Sequence, residues 1–251
     1  GKAWYESWTY SKQVWCPELR VLDLSGCTSM HSVNVLPQCA KLQTVVLSRC
    51  EALFEIKYLS TLKNLRSLYV DECKSIRVLP AVSGVQFLDV SRCHDTLNVG
   101  DRMKSYTKLE AFVCRAVSRF DMSCLSACTN LVMVDVSMCD FRTLDLSVFL
   151  DCADLRVFIA KECPNLVNLI AGACLRSIRD LDLSYNPELM LISSSLWNAQ
   201  GLRNVQLQSC PKLGYPIDDI ARAAPHLENL NLNMCSGIQN LSVFALKPSV
   251  P

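Results

Sequence analysis

Apolar and polar residues alternate in short runs that return at a nearly fixed interval. In LRVLDLSGC, beginning at residue 19, apolar side chains stand at offsets 0, 3 and 5. The same offsets return in LQTVVLSRC at 42, LRSLYVDEC at 65, VQFLDVSRC at 85, LEAFVCRAV at 109 and LVMVDVSMC at 131. They continue in LRVFIAKEC at 155, IRDLDLSYN at 178, LRNVQLQSC at 202 and LENLNLNMC at 227. The steps between starts are 23, 23, 20, 24, 22, 24, 23, 24 and 25 residues, and all thirty residues at the three offsets are apolar. In a chain whose residues are 50% hydrophobic, chance gives that agreement roughly once in a billion trials. The alternation predicts a short strand in each run, with offsets 3 and 5 turned inward and offsets 2, 4 and 6 turned to solvent. A strand recurring at this interval predicts one coil of a solenoid, in which each repeat is covered by its neighbours.

Offset 8 is where the chain leaves the strand. Cys27, Cys50, Cys73, Cys93, Cys139, Cys163, Cys210 and Cys235 stand there, with Val117 and Asn186 in the two remaining places. A Leu would fit poorly beside backbone groups that are leaving the ladder, whereas Asn hydrogen-bonds such groups. Cys fills the same narrow space as a small hydrophobe with a weak S–H donor. These thiols are therefore expected to be buried structural groups. The pattern matches L-x-x-L-x-L-x-x-N/C-x-L, so the chain resembles the leucine-rich repeat family over nearly its whole length. The resemblance implies an α/β fold: a right-handed horseshoe of about ten repeats of 20–25 residues, with a parallel inner sheet and irregular or short helical outer segments.

A second Cys series, Cys16, Cys39, Cys128 and Cys152, precedes the repeat starts by three residues and reads as outer-face core, while Cys114 takes a strand core position. Leu53 with Ile56, Ile76 with Leu79, Leu166 with Leu169 and Leu189 with Ile192 are expected to close the floor of each coil. The 20-residue step before Val85 and the Val117 turn depart from the pattern and read as tolerated irregularities. Residues 1–18 carry Trp4, Tyr5, Trp8, Tyr10 and Trp15, expected to form an N-terminal cap over the solenoid of residues 19–251. LSVFALKPSVP at the other end supplies no polar cap, so a continuing chain or a docked subunit is expected at that edge.

Charge narrows the partner class. Twenty-five basic side chains face 24 acidic ones, a balance of +1 that provides no general reservoir for neutralising phosphates, and nucleic acid is disfavoured. No run of 18 apolar residues is present, and the first thirty residues lack the basic start and apolar middle of a secretory signal. A soluble chain without a membrane partner is expected, and its initial Gly is that expected of a processed or longer parent chain. Stacked offset-8 thiols about 4.8 Å apart would lie within disulfide Cα range. A reducing compartment removes that hazard, so free thiols and a cytoplasmic or nuclear location are expected.

Little in the sequence points to catalysis. His31, His94 and His226 fall in different coils, which a solenoid does not bring together into a Ser-His-Asp or Cys-His set. Cys93 beside His94, and Cys124 with Cys128, have no second pair at zinc-site distance. Cys152-Ala153-Asp154 copies the Cys-x-Asp motif of bacterial ubiquitin ligases that carry leucine-rich repeats, but it falls in the outer-face core series. Eight Gly provide no phosphate-binding loop, and the Asn240-Leu241-Ser242 sequon falls on a core position. No catalytic residue, metal site or cofactor is expected.

Function is therefore expected on the sheet's solvent face. Offsets 2 and 4 supply an apolar stretch of Val46, Tyr69, Phe87, Val113, Met133, Val157 and Ile159 across repeats two to seven. Its margins are Asp71, Asp89, Asp135, Asp180 and Asp182 with Arg115 and Lys161. Apolar patches with polar rims mark protein interfaces. The competing account is that parallel strands use apolar residues for propensity alone. The leading expectation is a non-catalytic module binding a protein on this concave face, its phrases being similar to repeats of plant intracellular immune receptors, trypanosomatid leucine-rich proteins and F-box adapters. The alternatives are the recognition or sensor part of a larger ubiquitin ligase or immune receptor, or a structural component of a large assembly.

Overall fold

A computed structural model describes residues 16–94, 97, 99–118, 120–171, 177–197, 199–214, 224 and 226–238. The aromatic cap residues Trp4 to Trp15, the sequon and the C-terminal edge lie outside the described residues. Among the described residues thirteen strands follow one another: β1 (Val21–Asp23), β2 (Thr44–Val46), β3 (Ser67–Tyr69), β4 (Phe87–Asp89), β5 (Ala111–Val113), β6 (Met133–Asp135) and β7 (Thr143–Asp145). They continue as β8 (Val157–Ile159), β9 (Asn168–Ile170), β10 (Asp180–Asp182), β11 (Leu191–Ile192), β12 (Asn204–Gln206) and β13 (Asn229–Asn231). Ten of these, one per repeat and each at offsets 2 to 4, form a single parallel sheet in the order β1-β2-β3-β4-β5-β6-β8-β10-β12-β13. At about 4.8 Å per step the sheet extends roughly 43 Å. Between strands run short 3-10 turns such as Lys57–Thr61 and Met122–Ala127 and two four-residue helices, α1 (Gly100–Met103) and α2 (Ser194–Trp197).

Each strand is short because the chain turns sharply at offset 7. The ladder first continues past the strand, with Leu24 N–H donating to Val46 O and Gly26 N–H to Ser48 O, both at 2.8 Å. The offset-7 residue then takes the left-handed conformation in every coil: Gly26 (φ 74°), Arg49, Glu72, Arg92, Ala116, Met138, Glu162, Tyr185, Ser209 and Met234, the nine non-glycine residues lying between 52° and 62°. Such backbone is sterically unfavourable for residues with a Cβ, so the packed coils on either side hold it.

That turn points the offset-8 side chain into the coil. Its Sγ donates to the offset-5 carbonyl of the preceding coil, which has left the strand ladder: Cys50 to Leu24 O (3.2 Å), Cys73 to Leu47 O (3.1 Å), Cys93 to Val70 O (3.1 Å) and Cys139 to Cys114 O (3.0 Å). Cys163 meets Val136 O, Cys210 meets Leu183 O and Cys235 meets Leu207 O. Asn186 does the same with its amide, donating to Ala160 O at 2.8 Å, and also accepts from Cys163 N–H. Cys27 corrects the expectation of burial: it is exposed. Cys16, in the second series, is exposed as well and Cys39 is half-buried, whereas Cys128 and Cys152 are buried as read. Burial pushes the Cys73, Cys93 and Cys163 thiols up to about 12. Alkylation at pH 8 is thus expected to modify Cys16 and Cys27 in the native chain and these three only after unfolding, a difference that mass spectrometry of the labelled peptides reads directly.

Offsets 0, 3 and 5 form one continuous core in the central repeats, where Leu42, Val45, Leu47, Leu65, Leu68 and Val85 are fully buried. The residues expected to close the coil floor, Leu53, Ile56, Ile76, Leu79, Leu166, Leu169, Leu189 and Ile192, are buried too. The 20-residue coil closes at Gly84, where a Cβ would stand 3.0 Å from Leu65 O. A second parallel sheet, β11-β9-β7, was not legible in the pattern. It turns Leu144, Leu169 and Ile192 into the core and leaves Thr143, Asp145, Ile170 and Leu191 exposed.

Candidate functional site

The long sheet places its offset-2 and offset-4 side chains in two rows. In the first, Phe87, Ala111, Met133 and Val157 stand in register on β4, β5, β6 and β8, an unbroken apolar run. In the second, Val46 and Tyr69 are followed by Asp89, Val113, Asp135, Ile159 and Asp182, so apolar and acidic residues alternate. Tyr69 joins the rows by packing on Phe87, ring centroids 4.7 Å apart. The stretch read from repeats two to seven is therefore continuous through the first row and interrupted in the second.

Most of the expected site residues face solvent in part. Val46, Tyr69, Asp71, Phe87, Asp89, Met133, Val157, Ile159, Lys161, Asp180 and Asp182 are half-buried and Arg115 is exposed. Two are corrected: Val113 is only 5% exposed and Asp135 only 1%. Val113 lies in register between the two carboxylates Asp89 and Asp135. Arg115, two residues further on, donates from Nε to Asp135 Oδ2 at 2.7 Å and closes over that carboxylate with Nη2 at 2.5 Å. The other oxygen of Asp135 accepts from Ser137 N–H (3.0 Å) and Oγ–H (2.6 Å). Its place is structural.

The alternation has a backbone cause. At the strand end the offset-6 N–H is not part of the sheet ladder and needs an acceptor. Where offset 4 is Asp, its own carboxylate accepts: Asp89 from Ser91 N–H, Asp135 from Ser137 N–H, Asp182 from Ser184 N–H, at 2.9, 3.0 and 3.1 Å. Where offset 4 is Val113 or Ile159, the preceding coil's hydroxyl accepts instead: Ser91 Oγ from Arg115 N–H and Ser137 Oγ from Lys161 N–H, both at 3.1 Å. The cations then return to the next coil's acid, Lys161 Nζ lying 3.8 Å from Asp182 Oδ2. Asp-x-Ser alternating with apolar-x-basic is the sequence signal that finds this network.

Burial, opposed by the Ser91 hydrogen bonds, holds the Asp89 carboxyl above the usual carboxylate range. Because folding raises this pKa, ionised Asp89 detracts from stability above it, and the deficit disappears as pH falls through the folded value. Asp89→Asn keeps an oxygen for Ser91 N–H and removes the charge. Its unfolding free energy in urea is expected within about 0.5 kcal/mol of wild type, on the stabilising side.

Beyond the apolar rows the face becomes amide-rich. Asn204 donates to Asp180 Oδ1 (2.5 Å), Asn229 to Asn204 Oδ1 (2.6 Å) and Asn231 to Gln206 Oε1 (2.9 Å), a ladder running along β10, β12 and β13. The sequence reading also missed exposed apolar side chains on the other side of the coils. Phe54, packed edge-on against His31, is 58% exposed, as is Leu191. Phe54, Val78 and Pro80 line a shallow groove with Arg102.

The remaining chemical candidates are accounted for by structure. Cys152 Sγ donates to Cys128 O at 3.3 Å, and Asp154 of the same triplet lies 3.6 Å from Arg156. Among the described residues, no three His, Cys, Asp or Glu side chains come together to hold a metal ion, and no helix is long and apolar enough to cross a membrane.

No family model matches the chain, and no curated protein matches it by sequence. Solved structures do match. TLR13, determined in complex with ssRNA13, aligns with a TM-score of 0.60 at 17% identity, covering 88% of this chain and 37% of its own. The leucine-rich repeat domain of APL1B aligns at 0.56 and 18% identity, covering 76% and 55%. The Arabidopsis receptor kinase HAESA, in complex with the peptide hormone IDA and the co-receptor SERK1, aligns at 0.54 and 18%, covering 85% and 41%. This chain thus spans between about a third and just over half of the length of each. With the ten-strand parallel sheet and the offset-8 ladder, the likeness shows a leucine-rich repeat solenoid.

Proposed function

We propose that this leucine-rich repeat solenoid is a non-catalytic interaction module that binds a partner polypeptide on the open face of its long sheet. The observation that carries the reading is the half-exposed apolar run Phe87-Ala111-Met133-Val157, extended by the stacked Tyr69 ring and edged by charged side chains. Water contact with such a surface is unfavourable, and aromatic and Met side chains are those favoured at the centre of interfaces. Folds of this kind do receive polypeptides, as the HAESA complex with IDA illustrates. An RNA such as the one bound by TLR13 suits this face poorly, because its carboxylates oppose a phosphate backbone. A reducing intracellular compartment suits its free thiols.

A second reading rests on Phe54, Val78 and Leu191, exposed on the other side of the coils. Contacts there suit a fixed component of a large assembly. Affinity capture from native extract separates the two. The Tyr69→Ala, Phe87→Ala, Ile159→Ala variant is expected to fold as wild type does and to lose its partner, by about tenfold or more in affinity. Full retention of the same partners by a folded variant contradicts binding on the open face.

A further inference from the structure

The open face is acidic in a chain that is not. Its thirty side chains at offsets 2, 4 and 6 include six carboxylates, Asp23, Asp71, Asp89, Asp135, Asp180 and Asp182, and two cations, Arg115 and Lys161. The formal balance of these three offsets is therefore −4, against +1 for the chain as a whole, with Arg179 and Arg203 of offset 1 lining the same hollow as Asp180 at the rim. Asp135 is closed off beneath Arg115, and Asp23 stands apart on the first strand, held by Ser25. The other four fall into two groups at the ends of the apolar run. Asp71 and Asp89 belong to the adjacent coils of β3 and β4, and Asp180 and Asp182 are both on β10.

Neutral groups hold these four carboxylates in place. Asp71 accepts from Ser48 Oγ–H, Asp89 from Ser91 N–H, Asp180 from Asn204 Nδ2–H and Asp182 from Ser184 N–H. Among the described residues a single ion pair reaches them, Lys161 with Asp182 at 3.8 Å. Acceptors fixed in place and in excess over the cations of their rows, on a surface shielded from bulk water once covered, attract cations more strongly than the same charges scattered in solvent. Between the two groups the sheet advances four strands, from β4 through β5, β6 and β8 to β10. That distance is about 19 Å, which about six residues of extended chain span.

We propose that the occupant of this face is an extended polypeptide segment with basic residues at both ends of an apolar middle, the basic groups about six residues apart. The proposal rests on the open-face reading above and adds to it the chemistry of the partner. The apolar middle lies over Phe87, Met133 and Val157, and the basic side chains reach Asp71 with Asp89 at one end and Asp180 with Asp182 at the other. The sign of the face opposes an acidic peptide, a nucleic acid and an anionic lipid surface alike.

Random twelve-residue peptides displayed on phage and selected against the full chain test this. The expected pool is enriched in Lys and Arg on both sides of an apolar stretch, and its leading peptides, made synthetically, bind more weakly as salt is raised. Asp180→Asn with Asp182→Asn is expected to weaken them about tenfold while leaving the urea midpoint in place, because Asn retains the oxygen that Ser184 N–H needs. Peptides without basic enrichment that lose binding on Tyr69→Ala with Phe87→Ala overturn the partner chemistry and leave the open-face reading standing. Peptides indifferent to both double variants overturn the reading itself. Selection of no binder overturns the extended segment.

Discussion

Leu68→Ala is expected to lower the stability of the chain by about 2–5 kcal/mol, the range for truncating a fully buried Leu. Leu68 has no exposed surface and lies in register between Val45 on β2 and Leu88 on β4, so the cavity is walled by two neighbouring coils that cannot collapse inward without breaking their own ladders. In a solenoid each coil is stabilised by its neighbours alone, so the loss is expected to spread to the adjacent repeats. Hydrogen exchange should quicken in β2, β3 and β4 while β12 keeps its wild-type rate. Asp89→Asn, one strand away on the opposite face, is the matched control. Equal losses from the two substitutions would contradict the assignment of buried and open faces.

Asn186→Ala is expected to cost about 3 kcal/mol, although it removes only a small polar side chain. Asn186 is completely buried and holds three backbone groups: it accepts from Cys163 N–H and donates to Ala160 O and Leu183 O, each at 2.8 Å. Alanine takes that side chain from the buried Cys163 N–H and Ala160 O, while Leu183 O keeps the Cys210 thiol, and a buried group that loses its partner costs more than the hydrogen bond is favourable. Asn186→Cys is the informative companion, because cysteine occupies the same offset in the coils on either side. Its Sγ reaches the Ala160 carbonyl as Cys210 reaches Leu183 O, and Cys163 N–H is free to bond the offset-5 carbonyl of its own coil, as Cys50 N–H bonds Leu47 O at 3.1 Å. The expected loss is about 1 kcal/mol. Urea unfolding of the two variants measures the difference, and a Cys variant as unstable as the Ala variant would contradict the carbonyl-donating role of the ladder.

The repeating core was legible because it rests on chemistry that every coil must repeat. Offsets 0, 3 and 5 are buried in all the central repeats, since each lies between identical positions of its neighbours. The same logic fails at the first repeat. Cys27 satisfies the pattern and is exposed, so burial at offset 8 is not set by the residue alone. The left-handed turn at offset 7 left almost no trace. Gly26 is the single glycine there, and Arg49, Met138 and Tyr185 give no hint of positive φ. The second sheet has a strand in three coils among the described residues and no offset shared by all ten repeats marks it, so β7, β9 and β11 merged into the apolar floor of the coils.

The candidate site was legible as a face and less so as a set of residues. Period-2 alternation placed the side chains of offsets 2, 4 and 6 on the open surface, and the register confirms which of them adjoin. It could not foresee that Arg115 folds over Asp135, because that contact joins different coils twenty residues apart. Nor could it separate acids that cap a strand end from acids left to a partner. Asp135 and Asp180 look alike in the sequence, yet one is closed beneath a guanidinium and the other accepts from the Asn204 amide.

Site-specific photo-crosslinking of the captured partner tests the central claim most directly. A photoreactive residue is placed at Tyr69 or Met133 on the open face, or at Phe54 or Leu191 on the other side of the coils, and each protein is irradiated with its partner bound. The account predicts adducts from Tyr69 and Met133 and none from Phe54 or Leu191. Adducts confined to Phe54 and Leu191 would contradict it.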